Sequence, residues 1–290
     1  MNRNLAERYR VTDGRRFRLA DVDPDDVSGI RSRGEAEQAL RRGVERLAAL
    51  QEKLYADDRW SLLLIFQALD AAGKDSTIEH VISGVNPAGC QVQSFKAPSP
   101  EELDHDFLWR CAKALPERGR IGIFNRSYYE EVLVVRVHPD FLVHQRLPRP
   151  VAGEALWKER FEDIRAFERH LLRSGTLVRK FYLHMSKKQQ KKRFLKRLSE
   201  PAKNWKFSAK DVEERAHWRE YMDAYEDMIR KTSSEEAPWY VVPADNKWYT
   251  RIVVADAVVD ALLSLELNFP KLDAAKRREL AKARQLLLEE

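Results

Sequence analysis

The sequence predicts an α/β fold in which a parallel β-sheet is covered by helices on both faces. Short apolar runs, such as residues 62–66, have the length and composition of strands that are buried on both sides. Segments with helical spacing of apolar residues separate these runs along the chain. Strands that alternate with helices form parallel sheets, whose ligands bind at the carboxyl ends of the strands. We therefore expect a functional site where the run 62–66 ends.

The individual elements follow from the same patterns, in order along the chain. The predicted strands are 62–66, 91–96, 120–124, 177–184 and 239–243. The predicted helices are 36–55, 77–82, 100–110 (with Ser99 as N-cap), 128–137, 157–172, 186–198, 208–230, 247–266 and 271–290. Residues 1–33 mix charge with Pro and Gly, so we expect an irregular arm. The chain shows no internal repeat or linker, which favours one domain over 1–290, with an N-terminal arm and helix (1–55) and a tail helix (271–290).

Composition and charge are typical of a cytoplasmic enzyme. The chain has 290 residues, of which 43% are hydrophobic and 34% charged, and it contains two cysteines. Two cysteines do not make a disulfide framework, and no apolar stretch is long enough to cross a membrane. The N-terminus lacks the apolar core of a signal peptide. The net charge of +6 favours an anionic partner, although it is ordinary for a chain of this size.

The loop after the first predicted strand has the pattern of a phosphate-binding loop. A buried strand, a loop of small residues, the pair Gly73-Lys74 and a helix follow one another directly. Backbone N–H groups and the positive helix N-terminus attract an anion there, and the Lys74 ammonium reaches over the phosphates. The candidate phosphate-binding residues of this loop are Ala71, Ala72, Gly73, Lys74, Asp75 and Ser76.

The loop departs from the usual pattern at two positions. Ala68 occupies the place of the first Gly, and Asp75 occupies that of the Ser or Thr whose hydroxyl contacts Mg²⁺. Asp70 adds a carboxylate that would repel phosphate unless a divalent cation lies between them. Asp70 is therefore predicted to bind Mg²⁺ directly or through water. The alternative is a simple strand-to-helix turn in which Asp75 caps the helix and Lys74 is only solvated.

A second candidate cluster follows the strand 120–124. Asn125 stands where a phosphate-binding kinase usually has an acidic residue, and Arg126 offers a forked donor that suits phosphate oxygens. Glu130 lies one helical turn further on and is predicted to face the same cleft. Arg136, later in this stretch, is a further candidate for phosphate binding. The alternative is that Arg126 and Glu130 form a surface ion pair, which would be weak.

The helical region 185–230 is strongly basic. The basic residues on its first helix are Lys187, Lys188, Lys191, Lys192, Arg193, Lys196 and Arg197. Lys206 and Arg215 follow. Such a run is often only a solvated helix face. Its position after the fourth predicted strand favours a lid that closes over phosphates and excludes water.

Together these stretches resemble the polyphosphate kinase 2 family, from about Tyr9 to about Pro270. The matching motifs are DAAGKD (70–75), NPAG (86–89), DFLWR (106–110), FNRSYYE (124–130), NWKF (204–207) and APWYVVPA (237–244). The resemblance implies a three-layer P-loop kinase fold similar to thymidylate kinase, with a parallel sheet and a helical lid over 185–230. It also implies phosphoryl transfer between inorganic polyphosphate and nucleotides with Mg²⁺, and a homodimer or homotetramer. Asn125, Arg126 and Glu130 resemble class III, which accepts nucleoside mono- and diphosphates.

The resemblance also implies roles for the candidate residues. Asp70 and Glu130 would serve the metal, Lys74 and Arg126 the transferred phosphoryl group, and Asn125 the orientation of the acceptor. The remaining phosphate contacts would come from Arg136, Lys206 and Arg215. The expected acceptors are ADP and GDP and also AMP and GMP, in a reversible reaction, and neither nucleic acid nor a membrane is an expected partner.

Three other classes of protein remain open from the sequence. A nucleoside monophosphate kinase that uses ATP would share the fold and lid, but would be expected to have Gly and Ser or Thr in place of Ala68 and Asp75. A nucleic-acid-binding protein could use the basic helices but would not need Asp70. An inert scaffold would not need Lys74 and Arg126 together.

Overall fold

The computed structural model describes residues 5–30, 32–148, 153–205 and 207–290, and within these ranges it contains a six-stranded sheet. The strands are β1 (Arg10–Val11), β2 (Ser61–Gln67), β3 (Cys90–Ser94), β4 (Ile121–Asn125), β5 (Thr176–His184) and β6 (Trp239–Pro243). Their order across the sheet is β1-β6-β5-β2-β4-β3. All neighbours pair in parallel except β1, which is antiparallel to β6. The five strands predicted from the sequence are confirmed.

Helices cover both faces of this sheet. Along β2, Leu62, Leu64 and Phe66 belong to one buried apolar cluster, while Leu63 and Ile65 belong to another on the opposite face. This alternation arises because successive side chains of a strand point to opposite faces. The predicted three-layer α/β fold is therefore confirmed. The single-domain organisation stays a prediction.

The described helices agree with most of the predicted ones. The longer helices are α1 (Arg33–Asp57), α2 (Lys74–Val81), α6 (Glu154–Arg173), α7 (Lys187–Ser199), α10 (Trp218–Thr232), α11 (Lys247–Leu263) and α12 (Ala274–Glu289). The short ones are α3 (Pro100–Leu103), α4 (Trp109–Lys113), α5 (Val134–Val137), α8 (Pro201–Asn204) and α9 (Ala209–Glu213). Helices α1, α2 and α11 pack together, whereas α6 and α10 pack together elsewhere in the fold. None of the described helices is long and apolar enough to cross a membrane.

The N-terminal arm is more ordered than the sequence predicts. Residues Arg10 and Val11 form β1 against the edge of β6, with Arg10 opposite Tyr240. The Tyr9 hydroxyl lies 2.7 Å from both the Tyr249 hydroxyl and an Asp26 carboxylate oxygen, which ties the arm to α11. A strand of two residues is too short to show a period of two, so no pattern could predict it.

Three predicted helices are interrupted. The predicted helix 208–230 is divided into α9, a 3₁₀ turn over Glu214–His217 and α10. Ser99 is the N-cap of α3 with a capping box, as predicted, but α3 ends at Leu103. The Asp106 side chain accepts the Leu108 N–H (2.9 Å), and this local bond competes with the helix. The predicted helix 128–137 is a 3₁₀ turn over Tyr128–Val132 followed by α5.

Candidate active site

A cavity of about 660 Å³ opens at the carboxyl ends of β2 and β4. Four residues that the sequence singled out line it: Asp70, Arg126, Glu130 and Arg215. The cavity lies where ligands of parallel sheets bind. The structure thus brings together the loop after β2, the turn after β4 and the segment between α9 and α10.

The loop between β2 and α2 makes a tight turn. Gly73 has φ of +106°, and Ala71 has φ of +67°, so both lie in the left-handed region. A side chain at position 73 would be strained by this φ. The Lys74 ammonium donates to the Ala68 carbonyl (2.7 Å), and it does not line the cavity. Burial, together with the positive charge of Arg126, lowers the pKa of Lys74 to about 8.

Arg126 lies between two carboxylates in the wall of the cavity. Its guanidinium donates to Asp70 Oδ1 (2.7 Å) and to Glu130 Oε2 (3.0 Å). The negative charge of Glu130, and then that of Asp70, raises the pKa of Arg126 despite the opposing effect of burial. The Arg126 side chain is 30% exposed. The ion pair between Arg126 and Glu130, which was the alternative interpretation of the sequence, therefore exists. It lines the cavity, and Asp70 binds the same guanidinium.

Arg126 itself has an unusual backbone. Its φ is +66°, in the left-handed region that residues with a Cβ rarely adopt. Its N–H donates to the Phe66 carbonyl at the end of β2 (3.0 Å). Strained backbone of this kind concentrates at functional sites, where the surrounding structure holds it. Here it turns the Arg126 side chain out of β4 and toward Asp70.

Asn125 and Asp75 contact each other. The Asn125 side-chain amide donates to Asp75 Oδ1 (2.6 Å), which joins the end of β4 to the first turn of α2. Gly73 is the N-cap of α2, so the alternative in which Asp75 caps this helix is wrong. The Ser76 hydroxyl donates to the Gly73 carbonyl (3.2 Å) and stabilises the same turn.

Most lysines of the basic helix α7 lie outside the cavity wall, and the lid over 185–230 stays a prediction. The side chains of Lys188, Lys191, Lys192 and Lys196 are exposed and do not line the cavity. Arg215, in contrast, lines the cavity and donates to Gln190 Oε1 (2.6 Å). The lysines of α7 thus have the geometry of a solvated helix face.

The two further predicted phosphate ligands are Lys206 and Arg136. Lys206 lies outside the described residues. Arg136 does not line the cavity, and it forms an ion pair with Asp227 on α10 (2.7 Å). The structure therefore does not bring Arg136 together with Asp70 and Arg126.

Several cavity residues were not found from the sequence. They include Phe95, Glu214, Tyr221 and Tyr225. Glu214 accepts from the Tyr221 hydroxyl (2.7 Å) and from His138 Nε2 (3.0 Å). Burial raises the pKa of Glu214, but the two hydrogen bonds outweigh it and lower that pKa overall. Aromatic residues on a helix with apolar periodicity are typical of a core, so no sequence signal separates Tyr221 and Tyr225 from core residues.

A buried polar network lies behind the turn that carries Arg126. The Lys180 ammonium donates to Glu168 Oε2 (2.7 Å), to the Thr232 carbonyl (2.7 Å) and to the Tyr129 hydroxyl (3.1 Å). Glu168 Oε1 accepts from the hydroxyls of Tyr128 (2.9 Å) and Tyr129 (2.7 Å). This network connects β5, α6 and the 3₁₀ turn directly after Arg126.

The carboxylates in the cavity suit a hard divalent cation. Mg²⁺ binds proteins through one or two carboxylates and takes its other ligands from water and substrate phosphates. Asp70 and Glu130 offer such carboxylates next to the phosphate-binding loop. Within the described part of the chain, no group of three His, Cys, Asp or Glu side chains could hold a metal alone. A cation here would therefore take some of its ligands from the substrate.

The fold is that of a P-loop kinase. The family model described as polyphosphate kinase 2 (PPK2) matches residues 31–269, and the chain therefore belongs to the polyphosphate kinase 2 family. The resemblance found in the sequence is confirmed.

Similar proteins match almost the whole chain. An ADP-polyphosphate phosphotransferase of Rhodopseudomonas palustris is 52% identical over 97% of this chain and 98% of its own length. An AMP/ADP-polyphosphate phosphotransferase of Meiothermus ruber is 42% identical over 94% of this chain and 98% of its own. The crystal structure of polyphosphate kinase 2 from Arthrobacter aurescens superimposes with a TM-score of 0.87 at 43% identity, covering 97% of each chain.

Proposed function

We propose that the protein transfers a phosphoryl group from inorganic polyphosphate to ADP or GDP, reversibly, and that it also accepts AMP and GMP. The relatives named as polyphosphate phosphotransferases support the donor and the nucleotide acceptor. The observation that carries the proposal is the Arg126 guanidinium, held between Asp70 and Glu130 beside the phosphate-binding loop. Such a group can neutralise the charge of a transferring phosphoryl group.

The chemistry needs little from the protein besides position and charge. A terminal oxygen of the acceptor phosphate attacks the terminal phosphorus of polyphosphate. The P–O bond to the next phosphate breaks, and the shortened chain leaves with the electron pair. Because the second pKa of a phosphate monoester is about 6, the attacking oxygen is already ionised at neutral pH. Catalysis then rests on alignment and on stabilising charge, which we assign to Lys74 and Arg126.

Asp70 and Glu130 would hold Mg²⁺, directly or through water. The bound cation would offset the negative charge that the polyphosphate and the nucleotide bring together. Asn125 would orient the acceptor from the end of β4. Among the basic residues, Arg215 has the position to contact a phosphate, because it lines the cavity. Lys206 remains a candidate, whereas Arg136 would first have to leave Asp227.

We further propose a cytoplasmic homodimer or homotetramer that binds neither nucleic acid nor membranes.

The second candidate function is an ATP-dependent nucleoside monophosphate kinase, since the fold would serve it equally. Asp75 argues against this second function, because it places a carboxylate, bound to Asn125, at the position where such kinases have a hydroxyl. The two functions differ in the donor, so the choice of donor is the test.

The test is to incubate the protein with ADP, Mg²⁺ and polyphosphate, without ATP, and to measure ATP by chromatography. We expect ATP to form only when polyphosphate is present. Omission of polyphosphate controls for the conversion of two ADP molecules into ATP and AMP. Asp70→Asn, a nearly isosteric change, serves as the inactive control. Phosphorylation of AMP by ATP, with none from polyphosphate, would contradict the proposal and favour the second function.

A further inference from the structure

Helix α7 binds three consecutive carbonyl groups of the phosphate-binding loop. Gln190 Nε2 donates to the Asp70 carbonyl (3.0 Å). One arm of the Arg193 guanidinium, Nη1, donates to the carbonyls of Ala71 (2.9 Å) and Ala72 (2.7 Å). All three carbonyls therefore point toward α7.

The other arm of the Arg193 guanidinium is equally occupied. Nη2 donates to the carbonyls of Ala244 (2.6 Å) and Asp245 (3.0 Å), in the loop between β6 and α11. Burial lowers the pKa of Arg193 to about 10, so the guanidinium stays charged at neutral pH. Arg193 does not line the cavity. A cation that binds four backbone carbonyls in this way is not available for phosphate.

The direction of the carbonyls decides the direction of the loop amides. In a trans peptide the C=O and the following N–H point to opposite sides. Carbonyls of residues 70–72 that are fixed toward α7 therefore turn the N–H groups of residues 71–73 away from it. The Ala72 N–H donates to the Leu69 carbonyl (3.3 Å), so the N–H groups of Ala71 and Gly73 are the ones offered to an anion. Hydrogen bonds to a charged donor also polarise these peptide groups, which makes their N–H groups better donors to an anion.

Gln190 also connects this contact to the cavity. Its side-chain oxygen accepts from Arg215 Nη1 (2.6 Å), and Arg215 lines the cavity. Its amide nitrogen donates to Asp70, whose side chain binds Arg126. Gln190 thus connects Arg215 to Asp70, the candidate metal ligand in the loop.

We infer that Gln190 and Arg193 are positioning residues that hold the phosphate-binding loop in its anion-binding conformation from the side opposite the substrate. The expected loss of kcat/KM for polyphosphate rests on the proposed function. The expected change in the conformation of the loop does not. The sequence places Arg193 among the cations for phosphate, and its contacts assign it to the loop backbone instead.

The first test is Arg193→Ala, followed by hydrogen exchange of the loop peptide and by kinetics. We expect the Ala72 amide, which donates to the Leu69 carbonyl (3.3 Å) within the loop, to exchange at least about tenfold faster, because the loop loses bonds to a charged donor, while β5 keeps its protection. Misplacement of the loop should lower kcat/KM for polyphosphate about 10²-fold. Guanidinium ion added at millimolar concentration should restore part of both losses.

A matched control and a second variant complete the test. Arg165→Ala removes an arginine that also donates to a backbone carbonyl, that of Lys231 (3.2 Å), and should change neither readout. Gln190→Met keeps the size of the side chain but cannot donate to the Asp70 carbonyl. It should accelerate loop exchange even if Arg193→Ala does not fold.

Two results would overturn the inference. One is unchanged loop exchange in Gln190→Met. The other is a higher KM for polyphosphate in Arg193→Ala, with unchanged loop exchange and stronger dependence on salt, which would mean direct contact with phosphate. If the wild type shows no transfer from polyphosphate, the proposed function fails. Hydrogen exchange still tests the role of α7 in that case.

Discussion

Two cation–carboxylate clusters on neighbouring parts of the molecule have similar bonds but different surroundings. Arg126 binds Asp70 and Glu130 in the cavity wall, where its side chain is 30% exposed. Lys180 binds Glu168 behind the same turn, where it is 0% exposed. The shortest N–O distance is 2.7 Å in both clusters. Bond length therefore does not distinguish the ion pair in the cavity wall from the buried one.

The two clusters differ in whether substrate or metal can replace the hydrogen-bond partners of the cation. Lys180 makes three hydrogen bonds inside the protein, which matches the three donors of an ammonium group. Arg126 faces a cavity that can admit phosphate or a metal ion, so its carboxylates can give way to substrate oxygens. We expect changes at Arg126 to affect turnover, and changes at Lys180 to affect stability.

The largest expected effect is the loss of transfer in Arg126→Ala. An arginine that stabilises a transferring phosphoryl group contributes about 10³–10⁵-fold to the rate, so kcat should fall by at least about 10³-fold. The fold should persist, because Asp70 and Glu130 stay in contact with solvent in the cavity. The measurement is kcat with ADP and polyphosphate, together with urea unfolding. A variant that unfolds as readily as a Lys180 variant would remove the contrast between the two clusters.

Lys180→Met should lower stability, in contrast to Arg126→Ala, which should lower turnover. It leaves the Glu168 carboxylate buried without a cation, which typically costs about 3–5 kcal/mol in the free energy of unfolding. Urea unfolding measures this loss directly. Arg33→Met is the matched control, since Arg33 pairs with Glu37 on the exposed side of α1 and should contribute less than about 1 kcal/mol. Equal destabilisation by both changes would show that burial of the Lys180 pair is irrelevant.

Glu130→Gln separates the two carboxylates that bind Arg126. AMP carries its acceptor oxygen one phosphate closer to the base than ADP, so a bridge to polyphosphate is needed. We expect Glu130→Gln to lower kcat/KM for AMP about 10²-fold more than for ADP, because a misplacement of about 1 Å has such an effect. The measurement uses saturating polyphosphate and Mg²⁺. An equal loss for both acceptors would mean that Glu130 only pairs with Arg126.

The smallest expected effect is a change with pH. Burial and the charge of Arg126 lower the pKa of Lys74 to about 8, and phosphate requires the protonated ammonium. The kcat/KM for polyphosphate should therefore fall as pH rises through about 8, by about tenfold per pH unit. Lys74→Arg should abolish this decrease, since arginine stays protonated, even if its rate is lower. A decrease that persists in Lys74→Arg would assign the titration to another group.

The sequence was sufficient for features that depend on local pattern. The strand–loop–helix order around Lys74 and the continuous apolar runs of the sheet are such features. Arg126 and Glu130 were found because they follow a strand at the expected distance. The second carboxylate that binds Arg126, Asp70, lies 56 residues away along the chain, and its contact with Arg126 depends on β2 and β4 being neighbours.

Features that depend on tertiary contacts could not be predicted. Lys180 lies in a strand between Arg179 and Phe181, and no local pattern shows that Glu168 neutralises it from α6. The composition of α7 predicts phosphate contacts for all its cations, but the direction of each side chain depends on the rotation of the helix. Arg193 is turned toward the loop backbone, whereas Lys192 beside it is exposed.

The short strand β1 has a consequence for handling the protein. All five residues of β6 are buried, and two residues, Arg10 and Val11, cover its outer edge. An uncovered apolar edge strand is a template for pairing with another chain. Deletion of residues up to Val11 would remove this cover and leave the unpaired backbone groups of β6 at the edge. We therefore expect a chain without this arm to aggregate more readily through the edge of its sheet.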